Sequence, residues 1–453
     1  MQNPFIHQLA AEFDGLSDHL DTLQIKETGE LPSWFETTAL ANASVGLSGL
    51  ALARLADGGA APSVEVNSRF ASLWFGMSIQ PQGWELPPIW DTIAGDYACK
   101  DGWIKLHTNA RHHRKAACSV LGDHDDKQAI AKSVAHWDGE ALETAIVEAG
   151  GCAAFMRSID DWQQHPTGKA IAREPIVHWT KRSKVDADPW TAPADRPLSG
   201  IRILDLTRVL AGPVAGRFLA GFDAEVLRID PPGWDEGAVI PEVVLGKSCA
   251  TLNLKTEAGI ERLTTLLRTA DVLLHGYRAD ALAGLGFSEE DLAEINPRLI
   301  NVRLNAYGWS GPWVNRRGYD SLVQMNSGIA NYGMAMAKSD VPTPLPVQAL
   351  DHATGYLLAT SVLHALRMRR ETGTVLSAKL SLAKTANVLS QHRLSRINEA
   401  MPPLGEADID PHVENTDWGP ARRVRFPLEI EGIPHAWDHP ARRLHTSKPI
   451  WQQ

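Results

Sequence analysis

Asp351 stands in Leu350-Asp351-His352-Ala353-Thr354-Gly355, at the head of an apolar stretch with helical spacing. A single carboxylate so placed can act as a nucleophile if its surroundings desolvate and orient it. By position alone it could equally cap a helix over 353–366. Far upstream, residues 200–213 read as a buried strand running into a Gly-Pro turn and a helix. A turn of that kind offers free backbone N–H groups and a helix dipole to a phosphate. Together the two segments suggest a nucleotide-type ligand held by the first and a nucleophile supplied by the second.

The obvious nucleotide, NAD, fits poorly. Asp230 ends the next strand, where dinucleotide folds place an acid on ribose. Gly212 and Gly216 do not make GxGxxG, however, and Pro213 occupies the turn. Lys247, Arg278 and Arg303 are candidate phosphate partners or plain surface charge. Tyr277 and Arg278 follow a strand at 272–274, where a parallel sheet presents its ligand edge. The glycine-rich run 307–312 is either a turn or one wall of an elongated ligand site.

The elements that must position these residues follow from periodicity. Strands are expected at 201–206, 225–229, 250–254, 272–274 and 299–304, with helices at 212–221, 257–268 and 288–295. Ser288 and Asp291 fit a capping box. Strands alternating with helices predict an α/β domain, a Rossmann-like parallel sheet with helices on both faces. The front of the chain differs. It reads as helices at 4–13, 38–55, 110–122, 138–150 and 160–168, a turn at Asp57-Gly58-Gly59, a strand at 63–66, and a hairpin over 97–106 turning at Asp101-Gly102. This is a smaller α+β part. Residues 180–199, with Pro189, Pro193 and Pro197, lack periodicity and read as connecting chain, the linker proper being 191–199. The divisions are therefore 1–190, 191–199, 200–395, and an extended tail at 396–453. Residues 50–54 and 64–67 weakly echo 363–367 and 378–381, each a helix, a glycine turn and a strand.

With 453 residues there is room for two or three domains. A net charge of −10 argues against a nucleic-acid partner. No apolar run reads as a membrane helix, and the N-terminus does not read as a secretory signal. The four cysteines lack CxxC spacing, so neither a zinc site nor a disulfide framework is expected, and a cytoplasmic setting fits. The fifteen tryptophans read mostly as core fillers.

Residues 204–213, 224–232, 246–247, 252–256, 270–273, 277–278, 285–287, 296–300, 307–312, 318–320 and 351–355 together resemble the class III coenzyme A transferases of the CaiB/BaiF type. Residues 97–106, 149–154 and 159–175 resemble the later, small-domain part of the same family. The family halves therefore stand in rearranged order, as a permutation or a truncated fusion. The resemblance implies a CoA-transferase that moves CoA from an acyl-CoA to a carboxylic acid. The route is an aspartyl anhydride and an aspartyl-CoA thioester on Asp351, with no metal or tightly bound cofactor. It places Val209, Leu210, Ala211, Lys247, Tyr277, Arg278, Leu282 and Asn305 around the coenzyme, and implies an interlocked homodimer. Leu210 stands where some members are polar, Gly276 replaces a frequent Asn, and Ala279-Asp280 a frequent Pro-Gly. Thr38 falls near the repeat position of Asp351, so no second centre is expected there. Racemase relatives carry a His just before the Asp320 position. Tyr319 stands here and is a poor base near neutrality, so transfer is favoured over 2-methylacyl-CoA racemisation. His352 is the weaker substitute base, since neighbours on a helix point apart. A non-catalytic CoA-binding protein is the reading from another class.

Overall fold

The computed structural model describes residues 3–26, 29–56, 62–187, 190–278, 281–397 and 399–452. The expected turn at Asp57-Gly58-Gly59, Pro189 of the connecting chain and the Ala279-Asp280 departure lie outside these residues.

Six strands of the back half run parallel in the spatial order Lys247–Thr251, Glu225–Asp230, Arg202–Leu206, Val272–His275, Ile300–Asn305, Thr374–Ser381. Numbered along the chain this is 3-2-1-4-5-6, the dinucleotide-fold order, whose ligand crevice opens where the winding reverses. Here the reversal falls between Arg202–Leu206 and Val272–His275. These strands are legible because a sheet covered on both faces needs near-continuous apolar runs. Val272–His275 is buried at every position. The sheet is mixed, however, rather than purely parallel. A seventh strand, His178–Lys184, pairs antiparallel with Thr374–Ser381, so the aperiodic chain expected from residue 180 begins as an edge strand. Its sequence is charged because its outer edge faces water.

The internal echo is structural. Leu23–Lys26 pairs parallel with Val64–Asn67, as Ile300–Asn305 does with Thr374–Ser381. The helices Thr37–Ala56 and Ala349–Thr372 precede the second strand of each pair. Asn67 and Ser381 each cap the helix that follows, accepting from Phe70 N and Lys384 N. The correspondence extends to an exchange. His178–Lys184, from the front half, lies antiparallel on the back half's last strand, while Leu428–Ile430, from the tail, lies antiparallel on Val64–Asn67 of the front half. Each half closes the other's sheet, an interlock made inside one chain. The two long helices pack at its centre, where Ser48 Oγ donates to Tyr356 O at 2.9 Å. Gly49 leaves room for the tail strand, because a Cβ there would stand 2.6 Å from Leu428 Cδ1.

Among the described residues Thr37–Ala56 has the length and mean hydropathy (20 residues, 1.3) of a membrane span, unlike the sequence expectation. Its apolar window is 83% buried within this fold, as a core helix. The small domain is the hairpin Gly95–Cys99 and Gly102–Leu106 with Ala153–Phe155 and the helices Arg111–Leu121, Lys127–Val134 and Gly139–Glu148. The middle helix was not expected.

Candidate active site

The crevice at the winding reversal is a cavity of about 430 Å³. Its floor is the C-terminal edge of the sheet: Leu206 to Ala211, Gly276 to Arg278, and Leu304 to Ala306. The loop from Val314 to Tyr319 and Asp351 line the same space. Of the sequence candidates, Asp351, Val209, Leu210, Ala211, Tyr277, Arg278 and Asn305 all line this space.

Two candidates do not. Lys247 is buried on the far side of the turn, its Nζ 2.8 Å from Asp205 Oδ2 and 2.8 Å from Pro213 O. Its charge is spent holding the start of the Ala211–Ala220 helix to the sheet. Leu282 lies in the apolar layer formed with Leu204, Leu206 and Phe287. Arg303, the third candidate cation, is 3.3 Å from Glu289. The 307–312 run is anchored to the front half, Trp309 N and Ser310 Oγ donating to Glu174 at 2.8 and 2.6 Å. Asp230 pairs with Arg228 at 2.8 Å, which removes it as a ribose acceptor.

Val209 occupies φ 64°. That region is unfavourable for a β-branched residue and persists only where neighbours enforce it. Glu236 supplies the enforcement. Its Oε1 accepts the Val209 N–H at 2.8 Å and the Trp234 indole N–H at 2.8 Å, and its Oε2 accepts from Arg228 at 2.8 Å. Sequence reasoning missed Glu236 because nothing local marks it. Arg208 stacks on Trp234 at 4.5 Å and donates to Tyr277 Oη at 3.2 Å, so the turn presents a cation beside an aromatic wall.

Asp351 lies inside the first turn of Ala349–Thr372, with Gln348 at the cap position, so it is not an N-cap. Gly355, one turn on, explains the spacing of the motif. A Cβ there would sit 2.4 Å from Ala211 O and 2.9 Å from Val214 Cβ. Glycine lets the two helices touch, which brings Asp351 beside Ala211 at the cavity. Asp351 is 8% exposed. Burial, then the charge of Asp320, push its carboxyl well above its ordinary value. Asp320 is fully buried and accepts the Asp351 backbone N–H at 2.9 Å and the Gln324 side-chain amide. Burial lifts it to about 6, although those hydrogen bonds favour its charged form. Both causes act in the same direction on Asp351, so its carboxylate forms as pH rises. In Asp320→Asn the amide oxygen still accepts the backbone N–H but the charge is gone. The Asp351 carboxyl then titrates at lower pH, read from its carboxyl stretching band in infrared difference spectra. An unmoved band would count against the coupling.

His352 points away from the cavity. It is fully buried against Phe75, ring centroids 5.0 Å apart, and burial pushes it down to about 3. Tyr319 does line the cavity, stacked on His107 at 3.8 Å, with burial raising its hydroxyl further above neutrality. Thr38, the repeat counterpart of Asp351, accepts the Leu31 N–H at 2.8 Å and meets Ser72 Oγ at 3.2 Å.

The front half reaches this site, which no local sequence signal revealed. His112 and His113, in the first turn of Arg111–Leu121, line the same cavity. Their domain is docked by Glu143, which is 2.9 Å from Arg316 and 2.8 Å from Arg157 and accepts from Asn326 at 2.8 Å.

Residues 198–415 match the model of CoA-transferase family III. The chain is 34% identical over 220 residues to the "Probable fatty acyl-CoA transferase" of Mycobacterium tuberculosis, covering 46% of this chain and 55% of that one. It is 31% identical over 238 residues to the "Succinate--glutarate CoA-transferase" of Agrobacterium fabrum, covering 48% and 59%. A solved CaiB/BaiF family protein from Brucella suis is 26% identical, with a TM-score of 0.39 over 50% of this chain and 65% of that one. The chain thus spans little more than half the length of the curated relatives it matches. The likeness to CoA-transferase family III is thus confined to residues 198–415, a little under half of the 453-residue chain.

Proposed function

We propose that the protein transfers coenzyme A from an acyl-CoA to a carboxylic acid, with Asp351 as the covalent carrier. One observation carries this reading. The desolvated carboxyl of Asp351 shares a cavity with the strained Val209 turn, Tyr277 and Arg278 at the sheet's winding reversal. That is where a parallel α/β sheet takes nucleotide ligands. The cavity lies within the range of small-molecule sites. Arg278 and Arg208 meet the coenzyme's phosphates, and Val209 to Ala211 lie along its pantetheine arm.

In the first step the Asp351 carboxylate attacks the thioester carbonyl. The C–S bond breaks and CoA leaves as a thiolate, giving an aspartyl mixed anhydride. The thiolate attacks the aspartyl carbonyl, expels the donor acid as a carboxylate, and leaves an aspartyl-CoA thioester. The acceptor carboxylate attacks that thioester and displaces the thiolate again. The thiolate then attacks the acceptor carbonyl of the second anhydride, and Asp351 is regenerated as a carboxylate. Burial serves both thioester attacks, since a carboxylate stripped of water is the stronger nucleophile. Racemisation would need a base beside the α-carbon. Tyr319 does not titrate near neutrality, and His113 is pushed down to about 3 by burial.

Incubation with acetyl-, butyryl- and succinyl-CoA followed by hydroxylamine tests the reading. The expected outcome is a hydroxamate at Asp351, seen by peptide mass mapping, together with stoichiometric CoA release. Absence of labelling from every donor, with α-proton exchange in heavy water, would support the racemase instead.

A further inference from the structure

The cavity is strongly biased in charge. Four arginines line it, at positions 208, 278, 316 and 317, together with His112 and His113. Asp351 is the only acid lining it among the described residues. The cations divide by position. Arg208 and Arg278 belong to the sheet edge, the coenzyme side. Arg316 is committed to the docking of the small domain: it lies 2.9 Å from Glu143, donates to Ala153 O at 2.8 Å and stacks on Trp313 at 3.9 Å.

Arg317 is different. It is exposed, donates to Gly150 O at 3.3 Å, and forms no ion pair among the described residues. Beside it stands His112, exposed and near enough to feel the guanidinium groups of Arg317 and Arg208. The first turn of Arg111–Leu121 adds its positive helix end to the same side. This wall is shared: Arg317 comes from the loop Val314 to Tyr319 of the back half and His112 from the docked small domain of the front half.

A group that must attack a thioester is ill served by a guanidinium on its own oxygens, because ion pairing lowers its nucleophilicity. The unneutralised charge of this wall therefore suits a remote anionic group on the substrate, while the reacting carboxylate meets the aspartyl-CoA. The geometry points to Arg317 and His112 as the acceptor-specificity residues, selecting an acid that carries a second carboxylate. The inference rests on the transferase reading and adds a substrate class and the residues that choose it.

The test compares succinate with butyrate as acceptors, matched in carbon number, using whichever donor labels Asp351. Wild type should prefer succinate in kcat/KM. In Arg317→Ala that preference should fall about tenfold or more, mainly through the KM for succinate, a loss expected for a solvent-edge charge contact of about 1.4 kcal/mol. Arg317→Lys, which keeps the charge, should retain most of it. His112→Ala should lower it in the same direction by a smaller factor. A wild-type preference for butyrate, or equal losses for both acids in Arg317→Ala, would overturn the proposal while leaving the transferase reading intact. No donor-dependent label on Asp351 in wild type would instead remove the reading itself.

Discussion

On the proposed transfer, Asp351→Asn should leave a folded protein that no longer releases CoA from any donor and no longer yields a hydroxamate. The turnover rate falls by on the order of 10⁴-fold or more, the size expected when a covalent nucleophile is removed. The amide matches the carboxyl in shape, so the cavity persists and acyl-CoA still binds. A second readout separates this from damage to the fold. The Asp351 carboxyl is raised above its ordinary value of 3.8, first by burial and then by Asp320. An acid whose folded value is raised binds its proton more tightly in the folded state, and stability declines as pH climbs from the unfolded value towards the folded one. Native protein therefore carries a destabilising acid at neutral pH, and Asn removes it. The thermal midpoint of Asp351→Asn should exceed wild type at pH 7.5, with the gain disappearing below pH 3.8. Retained turnover would remove Asp351 from the mechanism. An unchanged or lower midpoint at pH 7.5 would mean the carboxyl is better solvated than its burial implies.

The parts of this site that could be read from sequence are those fixed by local chemistry. Buried parallel strands need continuous apolar runs, so Arg202–Leu206 and Val272–His275 announced themselves, and with them the edge bearing Val209, Tyr277 and Arg278. The Ser288–Asp291 capping box appears as expected, because both partners lie within one turn. What stayed hidden depends on contacts distant in sequence. The strand His178–Lys184 is polar and exposed along much of its length, so its pairing is set by its partner rather than by a pattern of its own. Glu236 reaches the site through the amide of Val209, 27 positions earlier. His112 and His113 reach the cavity because Glu143 docks their domain onto Arg316. The capping role open to Asp351 failed for a physical reason. Its helix begins two residues earlier, and Asp320 accepts the amide that Asp351 would otherwise have left free.

Lys247 shows how residue type alone can mislead, and its replacement has the second-largest expected effect. A lysine after a glycine near a phosphate-binding turn invites a ligand role. The structure gives it a different one. Both Lys247 and Asp205 have 0% side-chain exposure, and Asp205 Oδ1 also accepts the backbone and hydroxyl of Thr207. Gly216 completes the arrangement, since a Cβ there would stand 2.8 Å from both Asp205 Oδ2 and Lys247 Nζ. Lys247→Met strands a buried carboxylate and should lower unfolding stability by about 3–5 kcal/mol, as expected when one partner of a buried pair is removed. Adding Asp205→Asn, which removes the stranded charge, should recover a large part of that loss. The two changes would then be far from additive. Urea unfolding of the single and double variants measures this. A Lys247→Met protein of wild-type stability with a raised KM for acyl-CoA would return the lysine to the coenzyme. The reverse pattern would make it the clamp that holds the Ala211–Ala220 helix, and so the Val209 turn, against the sheet beside the cavity that Asp351 lines.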